Sequence, residues 1–347
     1  MPVSDHEMIS AWKHVLSLSK LQAGQTVTIL TSAATHPQNL STALIAAQSM
    51  GAVVNRLDLP PVNGDKALSR DSLAYLGTTP LTGNRAAIAA LKESDLVLDL
   101  MTLLFSPEQH EILQTGTKIL LAVEPPEVLA RLVPTEADRT RVQRAAKRLS
   151  QAREMTVVSD AGTDLRCPLG EFPAISEYGF VDEPGRWDHW PSGFVLTFPN
   201  EGGASGTIVL DRGDILLPQK CYVAEPVRLT VENGYATRIE GGVHAELLSE
   251  YVASFHDPEA YAISHIGWGL QPRAHWTTLG LYDREATIGM DARAYEGNFL
   301  FSLGPNNEAG GQRTTTCHID IPLRRCTVRL DGVDVVARGK VLDGGQA

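Results

Sequence analysis

Short apolar runs alternate with amphipathic or alanine-rich segments through the first part of the chain, and this alternation limits the folds that it can adopt. Strands joined by helices build a parallel or mostly parallel sheet with both faces covered. We therefore predict an α/β fold, with an N-terminal α/β domain at residues 1–153. In chain order, the predicted helices and strands lie at residues 5–21, 26–30, 40–50, 52–59, 84–92, 96–101, 107–114 and 118–123. A further helix, capped by Thr135 and Asp138, is predicted to end at Gln151.

None of these strands leads into a glycine-rich nucleotide-binding motif. Neither G-x-G-x-x-G nor G-x-x-x-x-G-K-[ST] follows any of them, so the sequence does not predict a dinucleotide or nucleoside triphosphate site. The chain also lacks G-x-S-x-G and H-E-x-x-H, which are motifs of α/β-hydrolases and of zinc peptidases. The chemistry must therefore come from other residues.

After residue 153 the pattern changes to short apolar runs with tight-turn signals. Asn233-Gly234 and Asp331-Gly332 each join two such runs, and these dipeptides are strong signals for a two-residue hairpin turn. A segment at residues 245–255 is predicted to be helical. We therefore predict a C-terminal, strand-rich α+β domain at residues 154–347, and this domain carries the candidate metal ligands.

Composition and charge narrow the range of partners. The 347 residues are 43% hydrophobic and 20% charged, which is typical of a globular protein. The net charge of −11 and the pI near 5.4 argue against binding to nucleic acid or to an anionic membrane surface. No apolar run is long enough to span a bilayer. We expect a small-molecule partner and a homo-oligomeric assembly.

The N-terminus and the cysteines indicate a cytoplasmic protein. The first residues, M-P-V-S-D-H, lack the basic and apolar regions of a secretory signal. None of the cysteines (Cys167, Cys221, Cys317 and Cys326) forms a C-x-x-C pair, so neither a zinc ribbon nor a redox pair is predicted. A chain of this length needs no disulfide bonds, and we expect reduced cysteines in the cytoplasm.

The segment T-T-T-C-H-I-D-I-P at residues 314–322 contains a candidate metal-binding pair. Its composition favours a strand, on which His318 and Asp320 share one face because side chains alternate. An imidazole and a carboxylate supply two ligands of a 2-His-1-carboxylate site, which is typical of non-haem Fe(II) oxygenases. His265, in the strand-like run I-S-H-I-G-W-G, is the best candidate for the second histidine. The simpler alternatives are a strand histidine bonded to an aspartate, and a core histidine at position 265.

Residues 177–194 concentrate carboxylates, a histidine, an arginine and two tryptophans in a run that matches neither a helix nor a strand. Such a loop suits the edge of a pocket, because binding and catalytic groups are often carried on loops. Glu177 and His189 are the acid–base candidates in this segment. The alternative is a long ordered loop that is held in place by its aromatic residues.

Two further segments are predicted to contact a substrate. Arg293 and Ser302 lie in a run from residue 291 to residue 307 that mixes glycine, asparagine and charged residues. Leu104 and Phe105 follow a predicted strand, and α/β sheets bind ligands at the carboxyl ends of their strands. The alternative for Leu104 and Phe105 is that they cap the core.

Longer segments carry a family resemblance that extends through nearly the whole chain. They resemble the 2,5-dihydroxypyridine 5,6-dioxygenases, the ring-cleaving enzymes of bacterial nicotinate degradation. The segments are L-L-A-V-E-P-P-E-V-L-A-R (120–131), D-E-P-G-R-W-D-H-W-P-S-G-F (182–194), I-S-H-I-G-W-G-L-Q-P-R-A (263–274), M-D-A-R-A (290–294) and C-H-I-D-I-P-L-R (317–324).

The resemblance implies a reaction and a set of site residues. The ligands of an Fe(II) cofactor would be His265, His318 and Asp320. The reaction would cleave the C5–C6 bond of 2,5-dihydroxypyridine with O2 to give N-formylmaleamate, with both oxygen atoms entering the product and no added reductant. His189 would be the base, and Glu177 would orient it or bind the lactam edge of the ring.

The resemblance further implies that Ser302 belongs to the pocket, and it marks one departure. A relative has histidine where this chain has Phe105, so the pocket wall or the path of the proton differs there. The family is also distantly similar to thermophilic metallo-aminopeptidases, which use an H-x-D pair with additional carboxylates for two metals. A metallohydrolase is therefore the alternative function, although no matching set of glutamates is evident. A non-catalytic pyridine-binding protein is a third possibility.

Overall fold

The N-terminal part of the chain contains the alternating helices and strands that its sequence predicts. The computed structural model describes residues 2–60, 79–104 and 106–342. The sequence pattern did not predict helix α5. The elements in chain order are α1 (Asp5–Leu18), β1 (Thr26–Thr31), α2 (Pro37–Ser49), β2 (Val53–Asp58), α3 (Arg85–Lys92), β3 (Leu96–Asp99), α4 (Pro107–Leu113), β4 (Lys118–Leu121), α5 (Pro126–Arg131) and α6 (Glu136–Gln151).

The rest of the described chain is rich in short strands. Its elements are β5 (Glu154–Val158), β6 (Asp164–Pro168), β7 (Ile175–Glu177), β8 (Trp187–His189), β9 (Phe194–Thr197), β10 (Ser205–Leu210), β11 (Ile215–Leu216), β12 (Cys221–Tyr222), β13 (Val227–Glu232), β14 (Tyr235–Gly241), α7 (Val243–Ala253), β15 (Ile263–Gly269), α8 (Thr278–Leu281), α9 (Met290–Ala294), β16 (Phe299–Leu303), β17 (Ile319–Leu323), β18 (Thr327–Leu330), β19 (Val333–Ala337) and β20 (Lys340–Val341). Short 3₁₀ helices lie at Pro258–Tyr261 and Asn307–Ala309.

Local signals account for several of these boundaries. Ser4 and Glu7 form a capping box at the start of α1, and Thr135 and Asp138 form the predicted capping box at the start of α6. The turn at Asn233-Gly234 has positive φ at both residues, 52° and 84°, as a type I′ hairpin turn requires. It joins β13 to β14.

Sheet A is a five-stranded parallel sheet with the strand order β2-β1-β3-β4-β8. All four of its strand pairs are parallel, which confirms the predicted parallel arrangement. Strands β3 and β4 are buried along their whole length, as expected for a sheet that is covered on both faces. The carboxyl ends of β4 and β8 place Leu121 and His189 at the edge of a cavity.

Two large antiparallel sheets and a two-stranded one, β11-β12, form the strand-rich part of the described chain. Sheet B has eight strands in the order β14-β13-β10-β6-β5-β18-β19-β20, and sheet C has five in the order β17-β16-β15-β9-β7. Sheet C carries the candidate metal ligands, because His265 lies on β15 and Asp320 on β17. The predicted fold class, a parallel α/β sheet with a strand-rich α+β part that bears the site, is confirmed.

The prediction that residues 177–194 match neither helix nor strand was wrong in part. This segment contains β8 together with one end of β7 and the start of β9. The pattern failed because β8 is only three residues long and exists through its pairing with β4. Since β8 completes sheet A from beyond residue 153, the two parts of the chain share a sheet. The domain boundary at residue 153 stays a prediction.

Aromatic packing joins the N-terminal helix to the segment that follows β8. The Trp12 and Trp190 rings meet edge to face with centroids 4.9 Å apart, and both side chains are buried. The indole N–H of Trp190 donates a hydrogen bond to the Leu132 carbonyl over 3.0 Å. Such aromatic pairs add about 0.5–1.5 kcal/mol beyond the area that they bury.

Among the described helices, none is both long enough and apolar enough to cross a bilayer.

Candidate metal centre and its cavity

His265 is aimed into the site by an irregularity in β15. The pairing register between β15 and β16 shifts between Ile263 and Ile266, so His265 lies at a bulge. Bulges re-aim side chains and are common beside active sites. The backbone N–H of His265 donates to the Ser302 hydroxyl over 2.9 Å, and both residues are buried. Ser302 therefore holds the backbone of a candidate ligand.

His318 and Asp320 face the same site from the start of β17. Asp320 is the second residue of β17, and His318 immediately precedes the strand. The Asp320 Oδ1 atom lies 3.0 Å from the Nε2 atom of His265 and 3.6 Å from that of His318. The two Nε2 atoms are 3.4 Å apart. One ligand atom from each of the three residues can therefore be chosen so that all three lie within 4.8 Å of one another.

The donor set fits a metal ion. In the described part of the chain, Asp320 Oδ1 is buried and accepts no hydrogen bond of acceptable geometry, although His265 Nε2 is at ion-pair distance. A buried polar atom without a partner costs about 1–3 kcal/mol, and more when it is charged. A cation among the three donors would satisfy it. Two imidazole nitrogens and one carboxylate oxygen are the donors of a 2-His-1-carboxylate site.

The second oxygen of Asp320 is held by Arg293 from helix α9. Arg293 Nε donates to Asp320 Oδ2 over 2.6 Å, and its Nη1 donates to the Ile288 carbonyl over 2.5 Å. Burial favours the neutral form of Asp320, but the charges of His318 and Arg293 outweigh it and hold the pKa of this carboxyl well below its ordinary value. Asp320 is therefore an anion at neutral pH, as a metal ligand must be.

Glu124 fixes the segment that leads into α9. Its carboxylate accepts hydrogen bonds from the Thr287 hydroxyl (2.7 Å) and from the backbone N–H groups of Ile288 (3.1 Å) and Met290 (2.7 Å). The side chain is fully buried, and burial raises its pKa to about 6. Glu124 thus connects the end of sheet A to the helix that carries Arg293. The sequence analysis did not select Glu124.

Glu177 and His189 form a buried pair that also lines the cavity. His189 Nε2 lies 2.9 Å from Glu177 Oε2, and His189 Nδ1 lies 2.5 Å from the Pro191 carbonyl oxygen. A carbonyl can only accept, so Nδ1 carries a proton. Burial lowers the pKa of His189, but the charge of Glu177 and the hydrogen bond to it outweigh burial, so that the pKa is raised. The pairing with Glu177 therefore favours the protonated form of the His189 ring.

The three candidate ligands line one cavity. The cavity is also lined by Glu177, His189, Arg293 and Glu308. Its apolar wall consists of Leu104, Leu121, Trp187, Phe194, Leu196, Met290 and Leu300. An apolar cavity with a few convergent polar groups is the usual form of a small-molecule site.

Of the four residues predicted to contact a substrate, two line the cavity in the structure. Leu104 and Arg293 line the cavity. Ser302 is not part of the lining, because its hydroxyl bonds to the backbone of His265. Phe105 lies outside the described residues. The substrate contacts of these four residues stay predictions, as do the acid–base roles of Glu177 and His189.

Sequence reasoning missed several residues of the cavity. Phe194, Met290 and Leu300 form part of its wall, and Glu308 adds a carboxyl group. The apolar residues gave no signal because any core residue has the same pattern. Glu308 follows β16 in the run G-P-N-N-E, which is typical of an exposed turn.

This fold and site define a candidate metal-dependent enzyme of the 2-His-1-carboxylate class with a cavity for a small molecule. Comparison with known proteins gives the family. The family model described as "NicX: 2,5-dihydroxypyridine 5,6-dioxygenase" matches residues 7–343. The chain belongs to this family, as its sequence segments predict.

Individual relatives agree with this assignment. A 2,5-dihydroxypyridine 5,6-dioxygenase from Pseudomonas putida KT2440 is 55% identical over 342 residues, which is 99% of this chain and 98% of the relative. A solved structure of the 2,5-dihydroxypyridine dioxygenase from Pseudomonas putida KT2440 has a TM-score of 0.96 and covers 99% of both chains. The structure of wild-type AmpT from Thermus thermophilus has a TM-score of 0.62 at 16% identity, over 97% of this chain and 99% of AmpT. The likeness to AmpT shows a shared fold alone.

Proposed function

We propose that this chain is a non-haem Fe(II) dioxygenase that cleaves the C5–C6 bond of 2,5-dihydroxypyridine with O2 and releases N-formylmaleamate. The observation that carries the proposal is the convergence of His265, His318 and Asp320 in a largely apolar cavity, where the buried Oδ1 atom of Asp320 accepts no hydrogen bond of acceptable geometry. Family membership supports the substrate and the reaction. Atoms balance, because the product equals the substrate plus one O2.

Each of the three candidate ligands would offer one atom to the metal ion. His265 and His318 offer Nε2 atoms and Asp320 offers Oδ1, while Arg293 fixes the other carboxylate oxygen. When bound, Fe(II) supplies a redox-active centre with open positions for a substrate oxygen and for O2. Since Arg293 already balances part of the charge of Asp320, the site is a weaker attractant for cations than an unpaired carboxylate would be.

The cavity wall selects for a flat ring and limits access of water. Phe194 is buried, Trp187 is partly buried, and the Phe194 ring centroid lies 5.2 Å from that of His189. Planar aromatic surfaces suit a pyridine ring. Displacement of water by the substrate strengthens each electrostatic interaction in the site.

A buried pair, Glu177 with His189, is suited to take the proton of the 5-hydroxyl group. The sequence suggested His189 as the base and Glu177 as its orienting partner. The hydrogen bonds favour the reverse assignment, because both ring nitrogens of His189 face acceptors. Glu177 accepts the proton in this scheme, and His189 holds the carboxylate in position and stabilises its charge.

The alternative functions are not favoured. Two-metal hydrolysis needs bridging ligands for two ions about 3.5–4 Å apart. Across residues 2–60, 79–104 and 106–342, the one cluster with metal-ligand spacing is His265, His318 and Asp320. A pyridine-binding protein without catalysis would bind the same ring and consume no O2. The likeness to AmpT concerns the fold, so it does not favour a hydrolase.

The experiment combines metal analysis with oxygen uptake. Protein purified without O2 should contain about one iron per chain and should consume one O2 per 2,5-dihydroxypyridine without a reductant. The zinc-substituted protein should be inactive, because zinc has no redox chemistry. A zinc form as active as the iron form would overturn the proposal. Binding of the pyridine to the iron form without O2 uptake would favour the non-catalytic alternative.

The cellular location and the assembly of the enzyme are also proposed. We expect a cytoplasmic homo-oligomer that takes a small-molecule substrate and O2. The four cysteines are free thiols in the structure, as is usual in a reducing compartment. Light scattering of the purified protein tests the assembly, and a mass equal to one chain would contradict it.

A further inference from the structure

Three carboxyl groups line the cavity, and they differ in their partners. Asp320 has Arg293 and the two candidate histidine ligands, and Glu177 has His189. The Glu308 carboxyl makes no hydrogen bond or ion pair with the described residues, 2–60, 79–104 and 106–342. Glu308 is therefore available to a ligand.

Glu308 lies where the cavity opens outwards. It is half-buried on the 3₁₀ helix Asn307–Ala309. Glu308, Glu177 and Trp187 line both the cavity and a wider outer space that Ser106, His110 and Ile175 also border. The candidate metal ligands line the cavity but not this outer space. Glu308 thus sits at the neck between the two.

The electrostatic setting favours the neutral form of Glu308. Burial, together with the negative charges of Glu177 and Asp320, raises the pKa of Glu308 well above its ordinary value. Asp320 differs, because the neighbouring charges of His318 and Arg293 hold its pKa well below the ordinary value. A neutral carboxyl group presents one O–H donor and one carbonyl acceptor side by side.

We infer that Glu308 recognises the lactam edge of the substrate, an inference that rests on the proposed function. In its lactam tautomer, 2,5-dihydroxypyridine has a ring N–H donor beside a C2 carbonyl acceptor. A carboxylic acid matches this edge with two hydrogen bonds: its O–H donates to the C2 carbonyl, and its carbonyl accepts from the ring N–H. C2 lies across the ring from C5. With the 5-oxygen at the metal end, the lactam edge points to the neck, where Glu308 lies.

The geometry makes Glu308 a specificity residue rather than a base. It selects ligands that carry a donor and an acceptor on adjacent ring atoms. Ligands without the N–H lose one hydrogen bond and leave the carboxyl partly unpaired, which weakens binding by about 10- to 100-fold. N-methylation of the ring nitrogen removes this donor and leaves the C2 carbonyl and the 5-hydroxyl in place.

The test measures binding without O2, so that it does not depend on turnover. The iron-loaded protein is titrated with 2,5-dihydroxypyridine and with its N-methyl lactam. The wild-type protein should prefer the first by about 10-fold or more. In Glu308→Leu this preference should disappear, whereas Glu308→Gln should keep it, because an amide also offers a donor and an acceptor. Glu246→Leu, an exposed position on α7, is the matched control and should behave as wild type.

Two results would overturn the inference. Equal binding of both ligands by the wild-type protein would show that the protein does not recognise the ring N–H. This result does not depend on any variant being folded. A preference that persists in Glu308→Leu would show that the methyl group is excluded by size alone, since leucine and glutamate are similar in volume. Wild-type O2 uptake, measured separately, reports on the proposed function: a protein that discriminates the two ligands but consumes no O2 would refute the function and not the recognition.

Discussion

Replacing Asp320 should have two separate effects, and His318 provides the comparison. Both Asp320→Ala and His318→Ala should lose iron, because each removes one of three protein ligands. Only Asp320→Ala also removes the carboxylate that pairs with the buried Arg293. The Asp320 and Arg293 side chains are 5% and 2% exposed, with Nε and Oδ2 2.6 Å apart. The metal-free Asp320→Ala protein should therefore be the less stable of the two.

The structure sets the size of this difference. Breaking a buried ion pair by removing one partner costs about 3–5 kcal/mol. Arg293 keeps its hydrogen bond to the Ile288 carbonyl, so we expect a value near the lower end, about 3 kcal/mol. Adding Arg293→Leu to Asp320→Ala removes the buried charge that has lost its carboxylate partner and should restore much of the free energy of unfolding. The double variant should still not bind iron.

Urea unfolding of the metal-free proteins measures the free energies, and elemental analysis measures iron. Metal must be removed first, because bound metal stabilises the wild type by mass action. Circular dichroism at low urea checks that each variant is folded. Equal stability of metal-free Asp320→Ala and His318→Ala, or no recovery in the double variant, would refute the reasoning about the ion pair. Full iron content in either single variant would refute the ligand assignment.

The remaining predictions concern residues around the ligands. His189→Ala should keep its iron and lose about 10²–10⁴-fold in kcat, because Glu177, the proposed base, loses the ring that holds its carboxylate; a kcat within a few-fold of wild type would mean that His189 only packs in its loop. Ser302→Ala should weaken iron binding by about 10- to 100-fold in a competition titration with a chelator, because His265 loses a backbone contact; unchanged affinity would contradict this. Burial raises the pKa of Glu124 from 4.5 to about 6. This group therefore adds about 2 kcal/mol to the free energy of unfolding below pH 4.5, and that contribution is lost as pH rises through 6. In Glu124→Gln, the free energy of unfolding measured in urea should lack this part of the pH dependence. The same slope of unfolding free energy against pH as in the wild type would refute the prediction.

Local patterns predicted much of the fold and the candidate ligand set. The alternation of apolar runs and helices predicted the first four strands of sheet A, β1 to β4, since each run is long enough to identify by itself. The two-residue period of a strand placed His318 and Asp320 on one side of β17. The turn at Asn233-Gly234 followed from the positive φ that these residues tolerate.

Long-range contacts could not be predicted in the same way. Strand β8 is defined by its pairing with β4, about 70 residues earlier in the chain. The bond of Arg293 to Asp320 and that of Ser302 to the His265 backbone depend on how sheet C and α9 pack. Glu308 lies in a run that is typical of an exposed turn, and only the tertiary structure brings it to the cavity. Sequence periodicity carries no information on such contacts.

The central claim is that this chain inserts both atoms of O2 into the pyridine ring. Turnover of 2,5-dihydroxypyridine by the iron-loaded protein under ¹⁸O2, followed by mass spectrometry of the product, tests it most directly. A parallel reaction in ¹⁸O-labelled water with unlabelled O2 measures exchange with solvent. The account predicts N-formylmaleamate with two labelled atoms, after correction for exchange. Ring opening without O2, or a product whose new oxygen atoms come from water, would contradict it.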